Sequence, residues 1–246
     1  MKALITGASS GIGKDFAKIL ASKGYDLVLV ARDEERLKEL EKELNTNVKI
    51  ISMDLSNVEN CKKLHAENPD IDLLINNAGF GDCGNFTHTS LDKEISMINT
   101  NIVAYHTLTK LYLIDMKKVN KGHILNVASI AGFMPGPLMS TYYATKSYVV
   151  RLSEGIREEL NKEKSNVKIS ILCPGPVKTN FLSVANVRFN IREADSYKVA
   201  KYAIDHLSRF YIIPGIDIKF ARLGAKLFPS SLVAKVTYMI QKKKLQ

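Results

Sequence analysis

Short runs of apolar residues alternate along the chain with longer stretches in which apolar residues recur at helical spacing. The short runs predict strands that are buried on both faces, at residues 3–5, 27–30, 48–53, 73–75, 122–127 and 167–172. The longer stretches predict amphipathic helices, at residues 12–23, 34–44, 58–66, 94–117 and 143–162. Because strands and helices alternate, the pattern predicts an α/β fold with a doubly wound parallel sheet, in a single domain over residues 1–246.

The end of the chain follows a different pattern. Residues 219–246 are rich in helix formers and predict a helical C-terminal tail. An apolar row in this tail is followed by three lysines at residues 242–244. Such a row can pack on the core or on a second copy of the chain, and it can also lie on a membrane surface. The more common arrangement, packing against protein, is favoured here.

The composition is that of an ordinary globular protein. The chain has 246 residues, of which 46% are hydrophobic and 24% charged. Its three cysteines, Cys61, Cys83 and Cys173, are too few for a disulfide scaffold. No apolar run approaches the roughly 20 residues of a membrane helix, and the first residues do not resemble a signal peptide. These features predict a cytoplasmic protein.

The formal net charge of +10 raises the question of an anionic partner. A basic protein can bind nucleic acid, but the basic residues here are dispersed and mostly stand beside acidic ones on the helical stretches. No nucleic-acid partner is therefore predicted. Cys61 and His65 have the spacing of two ligands on one helix face. Two ligands do not make a metal site, so no metal is predicted either.

A glycine-rich segment separates the first predicted strand from the first predicted helix. Residues 6–13 read Thr-Gly-Ala-Ser-Ser-Gly-Ile-Gly. Glycines let the backbone turn tightly and approach a ligand, and the start of a helix offers free N–H groups to a pyrophosphate. At the first β–α junction of a doubly wound sheet, this segment predicts a Rossmann-like, dinucleotide-binding fold. The predicted contacts come from Gly7, Ser9, Ser10, Gly11, Ile12 and Gly13.

The residue after the second strand distinguishes the two nicotinamide dinucleotides. An acidic residue there would bond the ribose 2′-hydroxyl of NAD, whereas Arg32 stands at this position and suits the 2′-phosphate of NADP. Asp33 directly beside it weakens this assignment, and Arg32 could also be a solvated loop charge. NADP is favoured over NAD.

Three residues in the second half of the chain suggest acid–base chemistry. Ser129 follows the fifth predicted strand, Tyr142 lies thirteen positions later, and Lys146 is one helical turn beyond. A phenol is a poor acid or base near neutral pH. A neighbouring ammonium stabilises the phenolate and lowers the pKa of the tyrosine, which makes it a usable general acid or base. Tyr143 is a rival for this role but is only three residues from Lys146.

In these motifs the chain resembles the short-chain dehydrogenase/reductase (SDR) family over about its first 180 residues. Six motifs stand in the family's order, and together they are far more specific than any one alone. Besides the glycine-rich segment and the set Ser129, Tyr142 and Lys146, they are Asp54 with Leu55, residues 76–79 with Asn77, Asn101, and residues 174–179 with Val177 and Thr179.

The resemblance implies a function for each motif. Ser129, Tyr142, Lys146 and Asn101 would be catalytic, with Tyr142 as general acid/base in hydride transfer between the nicotinamide and a carbonyl or secondary alcohol. Lys146 would also hold the nicotinamide ribose, and Asn101 would support a water in the proton relay. Asp54 and Leu55 would meet the adenine, and Thr179 would reach the carboxamide.

The same resemblance leaves partners and substrate open. A small-molecule carbonyl or alcohol substrate is expected, and residues 134–139 suggest that part of it is apolar, unless they merely pack a loop. Residues 181–197 are expected to form a mobile substrate lid. A homodimer or homotetramer is expected, although the tail departs from the family's usual ending. The alternatives are a dinucleotide-binding sensor or scaffold without turnover and a peripheral membrane protein acting on lipid carbonyls.

Overall fold

Seven parallel strands form the centre of the protein. The computed structural model describes residues 1–179 and 193–243. The strands are β1 (Lys2–Thr6), β2 (Asp26–Ala31), β3 (Val48–Ser52), β4 (Leu73–Asn76), β5 (His123–Val127), β6 (Lys168–Leu172) and β7 (Tyr211–Ile212). Their order across the sheet is β3-β2-β1-β4-β5-β6-β7, and every pair is parallel. The predicted doubly wound, Rossmann-like fold is therefore confirmed.

Helices cover both faces of this sheet. They are α1 (Gly11–Ser22), α2 (Glu34–Lys42), α3 (Val58–Ala66), α4 (Leu91–Ile98), α5 (Tyr105–Lys118), α6 (Ser140–Lys162), α7 (Ser196–Asp205), α8 (Ile216–Leu227) and α9 (Ser230–Lys242). Alternate residues of each strand point to opposite faces: Leu4 and Val28 enter the core beneath α3, α5 and α6, whereas Ile5 and Leu29 enter the core beneath α1, α2 and α7. Within the described residues, no helix has both the length and the apolar character needed to cross a bilayer.

The carboxyl ends of β1 and β4 form the point where the strand order reverses, because β2 follows on one side of β1 and β4 lies on the other. The buried Thr6 side chain joins these two strand ends. Its hydroxyl accepts hydrogen bonds from the backbone N–H of Asn77 at 2.9 Å and of Ala78 at 3.0 Å. Crevices at such switch points are the usual ligand sites of doubly wound sheets.

The predicted continuous helix over residues 94–117 is wrong in one respect. The chain forms α4, then a π-helical turn over Asn99–Ala104, then α5. The three pieces follow one another without a loop, which is why the apolar spacing reads as one helix. The wider turn coincides with Asn101, whose side chain bonds the backbone of Phe80 instead of facing solvent. Such π-turns inside helices are frequent at functional sites.

The segment after β6 contains elements that the sequence pattern did not predict. Helix α7 begins behind its N-cap Asp195 and packs on α1, and β7 adds a seventh strand at the sheet edge. The expected lid at residues 181–197 lies mostly outside the described residues, and its last two residues begin α7. The helical tail is confirmed as two helices, α8 and α9, which are separated at Phe228 and Pro229.

Candidate active site

The glycine-rich segment makes a tight turn between β1 and α1. Gly7 and Gly11 have φ values of 66° and 54°, which favour glycine. A Cβ atom at Gly7 would stand 2.8 Å from the Cα of Ala78, and one at Gly13 would stand 2.2 Å from the Gly7 carbonyl oxygen. The turn therefore depends on glycine for its conformation and for its close packing on β4.

The side chain of Asn77 holds this turn from the β4 side. Its amide donates to the carbonyl oxygens of Thr6 at 3.0 Å and Gly7 at 3.2 Å. Thr179 approaches from the other side, in the loop that follows β6, and its methyl group lies against Gly11. Residues from three separate motifs thus meet at the start of α1.

A cleft of about 580 Å³ runs along this edge of the sheet. The predicted site residues that line it are Gly7, Ser9, Ser10, Gly11, Ile12, Arg32, Asp54, Leu55, Asn77, Ser129, Tyr142, Lys146, Val177 and Thr179. The Ser10 side chain does not cap α1, so the first N–H groups of the helix keep no side-chain acceptor there. Both the glycine turn and the open helix start fit a dinucleotide pyrophosphate.

Arg32 and its neighbour Asp33 both line the cleft beyond the end of β2, and the Asp33 side chain is held there by Arg36. The Asp33 carboxylate accepts the backbone N–H of Arg36 at 3.1 Å as the N-cap of α2. It also pairs with the Arg36 guanidinium at 3.2 Å. Arg36 itself lines the cleft, a role that the sequence analysis missed. Its position in the first turn of α2, four residues after Arg32, is the only signal that could have indicated it.

Ser129, Tyr142 and Lys146 come together at the opposite end of the cleft. Ser129 follows β5, while Tyr142 and Lys146 lie one turn apart near the start of α6. The Lys146 ammonium is 5.9 Å from the centre of the Tyr142 ring and donates to the Val127 carbonyl oxygen at 2.9 Å. The Ser129 hydroxyl hydrogen-bonds the Tyr142 phenol.

Burial has the largest effect on the pKa values of Tyr142 and Lys146. It raises the pKa of Tyr142 well above its ordinary value, while the hydrogen bond with Ser129 opposes the rise and Tyr143 adds to it. Burial also lowers the pKa of Lys146 to about 8. The expected lowering of the phenol pKa by Lys146 is therefore not the dominant effect, and Tyr142 is protonated at neutral pH.

Asn101 and Gly13 are the two predicted site residues that do not line the cleft among the described residues. The Asn101 amide donates to the Phe80 carbonyl at 2.9 Å and to the Thr145 hydroxyl at 3.1 Å. A Cβ atom at Gly79 would stand 2.9 Å from Asn101 Oδ1 and 3.5 Å from the Lys146 ammonium. Gly79 and Lys146 both line the cleft, and the missing side chain of Gly79 leaves room between its backbone, Asn101 Oδ1 and the ammonium.

Tyr143 forms a wall of the cleft beside Tyr142. Its ring packs so closely on Gly136 that a Cβ atom there would stand 2.2 Å from the ring. On its other side, the buried Gln241 amide of α9 donates to the Tyr143 hydroxyl. The loop over residues 134–139 therefore supports Tyr143 and does not itself line the cleft among the described residues.

A cleft at the switch point of a parallel sheet, lined by a glycine turn and a Ser–Tyr–Lys group, is typical of nicotinamide-dependent oxidoreductases. The family model for short chain dehydrogenase matches residues 1–188. An oxidoreductase of Staphylococcus epidermidis is 35% identical over 181 residues, which are 72% of this chain and 78% of that protein. The chain belongs to the short-chain dehydrogenase family.

Solved structures agree with this assignment. A short-chain dehydrogenase/reductase of Burkholderia phymatum in complex with NAD has a TM-score of 0.83 and 28% identity, with 92% of each chain covered. A short-chain dehydrogenase of Sphingobium yanoikuyae in complex with NADPH has a TM-score of 0.81 and 29% identity, with 92% of this chain and 94% of that chain covered. Both forms of the cofactor thus occur among its structural neighbours.

Proposed function

We propose that the protein is an NADP(H)-dependent carbonyl reductase, or alcohol dehydrogenase in reverse, with Tyr142 as the general acid/base. The observation that carries this proposal is the meeting of Ser129, Tyr142 and Lys146 at one end of the cleft, with the glycine turn at its middle. When bound, the nicotinamide supplies the hydride in reduction and accepts it in oxidation.

The residues of the chain have distinct tasks in this proposal. The Ser129 hydroxyl orients and polarises the substrate oxygen. The Tyr142 phenol gives its proton to that oxygen during reduction and takes it back during oxidation. The buried Lys146 ammonium stabilises the phenolate that remains. We assign to Asn101, whose Oδ1 lies against Gly79 of the cleft lining, the support of a water that returns the proton.

The charge at the other end of the cleft supports NADP. Two guanidinium groups, Arg32 and Arg36, line that end, and guanidinium groups suit phosphate geometry. Asp33, the carboxylate that would accept a ribose 2′-hydroxyl, also lines this end, but it caps α2 and pairs with Arg36. We therefore propose that Arg32 contacts the 2′-phosphate and that Arg36 assists it.

We also propose a substrate with an apolar portion. Tyr143 presents its ring to the cleft beside Tyr142, and both tyrosines pack against the buried cluster of Cys83, Leu138 and Met139. An apolar group next to the reacting carbonyl would complete this cluster.

The activity test is incubation with NADPH and a panel of aldehydes and ketones that differ in apolar size. The expected result is oxidation of NADPH by at least one carbonyl compound of the panel, measured as a loss of NADPH absorbance. NADPH binding without turnover of any panel member would favour the alternative, a non-catalytic dinucleotide sensor or scaffold. Binding of neither NADPH nor NADH would contradict both.

The pH dependence of reduction should follow Lys146. Because burial lowers the pKa of Lys146 to about 8, its positive charge is lost as the pH rises through that value. The raised pKa of Tyr142 keeps the proton donor loaded over the same range. We expect kcat/KM for carbonyl reduction to be flat at neutral pH and to fall above about pH 8. A profile that rises through this range would contradict the assigned roles.

Gln241 should affect substrate binding more than chemistry. Gln241→Ala removes the donor to the Tyr143 hydroxyl, and a lost hydrogen bond of this kind is worth about 1 kcal/mol. We expect KM for the carbonyl substrate to rise about fivefold, while kcat and the affinity for NADPH stay near the parental values. Lys235→Ala, an exposed change on the same helix, is the control. An equal fall in kcat for Gln241→Ala would place the effect on chemistry instead.

A further inference from the structure

The two C-terminal helices carry rows of exposed apolar side chains. The row on α8 consists of Ile216, Phe220, Leu223 and Leu227, and the row on α9 consists of Leu232, Val236, Met239 and Ile240. Ile216, Phe220 and Leu227 are 71%, 68% and 69% exposed among the described residues. No residue of α8 is buried. Large apolar side chains that gather in this way mark an interaction surface.

Lysines flank both rows in the same register. Lys219 and Lys226 follow Ile216 by three and ten positions, and Lys235 and Lys242 follow Leu232 by the same two intervals. At 3.6 residues per turn, these positions place both lysines of each helix along the same edge of its apolar row. The two helices therefore present one pattern twice: an apolar row with a cationic border.

The charge of this region is one-sided. Residues 216–243 contain six basic residues, Lys219, Arg222, Lys226, Lys235, Lys242 and Lys243, and one acidic residue, Asp217. Exposed helices elsewhere in the chain mix the two signs, as in the pairs of Lys38 with Glu34 at 2.8 Å and Lys201 with Asp205 at 2.6 Å. The tail thus differs from other helices in both apolar exposure and charge.

The opposite sides of these helices are already committed to the fold. On α8, the Arg222 guanidinium lies 3.7 Å from the centre of the Tyr211 ring, and Ile218 packs on Gly175. On α9, the Thr237 hydroxyl donates to the Pro135 carbonyl at 2.9 Å. The apolar rows are therefore not needed to hold the helices in place.

We propose that α8 and α9 form a binding surface for bilayers that contain anionic lipids. Their apolar rows would enter the boundary between headgroups and acyl chains, and the flanking lysines would meet the lipid phosphates. A second copy of the chain fits less well, because a symmetric contact would bring two basic borders together without acidic partners. Since α9 contacts Pro135 and Tyr143, the surface lies next to the catalytic end of the cleft.

The test is flotation of the protein, with all 246 residues, with vesicles of phosphatidylcholine alone and of phosphatidylcholine mixed with phosphatidylglycerol. The protein should float with the mixed vesicles, and added salt should release it. Lys219→Gln with Lys226→Gln should weaken this partitioning about thirtyfold, given the contribution of each lysine near an anionic surface. Phe220→Gln with Leu223→Gln should weaken it at least about tenfold.

Matched controls make changes of the same size elsewhere. They are Lys62→Gln with Lys162→Gln, which lie on α3 and α6, and Leu91→Gln with Ile95→Gln, which lie on α4 and are exposed. Both should float like the parental protein. Thermal unfolding checks that every variant is folded, and the readout does not depend on the proposed carbonyl reduction.

Three results would overturn the proposal. The first is a parental protein that stays unbound with the mixed vesicles. The second is equal flotation of the tail lysine variant and its control. The third combines two measurements: no vesicle binds the parental protein, and Phe220→Gln with Leu223→Gln lowers its oligomeric mass. This result would make the surface an interface between copies of the chain.

Discussion

Replacing Tyr142 with phenylalanine is expected to lower kcat for carbonyl reduction by about a hundredfold to ten-thousandfold, the range for loss of a general acid. The phenol is the group at this end of the cleft that is protonated at neutral pH and hydrogen-bonded to Ser129. The ring remains in the variant, so the cleft keeps its shape and NADPH should bind with nearly parental affinity. The measurements are steady-state kinetics with the best substrate of the panel and fluorescence titration with NADPH.

Tyr143→Phe is the matched control for this experiment. It removes the neighbouring phenol hydroxyl, which accepts a hydrogen bond from Gln241, whereas the Tyr142 hydroxyl bonds Ser129. We expect kcat to stay within a few-fold of the parental rate. If Tyr143→Phe abolished turnover while Tyr142→Phe retained it, the two tyrosines would have to exchange roles, as their adjacent positions in the sequence allow.

The fold was predictable because its central strands are buried on both faces. Such strands are continuous apolar runs, and six of the seven strands were predicted near their observed positions. The seventh, Tyr211–Ile212, has two residues and is too short to produce a pattern. The π-turn over Asn99–Ala104 was not predictable either, since it joins α4 and α5 without a loop and changes only the local spacing.

The residues that share the cleft were predictable only where a motif is local. The glycine turn and the pair Tyr142 and Lys146 depend on spacing along the chain, and the structure brings them to one cleft. Arg36 looked like an ordinary charge on an exposed helix, because its place in the cleft depends on where Asp33 caps α2. The contact between Gln241 and Tyr143 spans 98 positions and leaves no local pattern.

The direction of the pKa shift at Tyr142 differs from the lowering that its spacing from Lys146 suggests. Spacing along a helix shows that an ammonium is near a phenol, but it does not show how much water either group has lost. Burial raises the pKa of the phenol and lowers the pKa of Lys146 to about 8. Desolvation therefore opposes the attraction on which the sequence argument relied.

Arg32→Asp is expected to reduce the preference for NADPH over NADH, measured as the ratio of kcat/KM values, by at least about a hundredfold. Loss of a hydrogen bond to a charged group costs about 1.5–3 kcal/mol, and each 1.4 kcal/mol is a factor of about ten. The new carboxylate would also repel a 2′-phosphate and could accept the ribose 2′-hydroxyl of NADH. Arg151→Ala, an exposed change on α6, should leave the ratio unchanged.

Changes at α2 separate the roles of Arg36 and Asp33. Arg36→Ala removes the second guanidinium and frees the Asp33 carboxylate from its ion pair, so the ratio should shift toward NADH by about tenfold or more. Asp33→Asn keeps the oxygen that caps α2 but removes the negative charge, so the preference for NADPH should persist or increase. The contrary result has two parts: the parental protein prefers NADH, and Asp33→Asn abolishes its activity with NADH. Asp33 would then be the ribose ligand, and the assignment of Arg32 would be wrong.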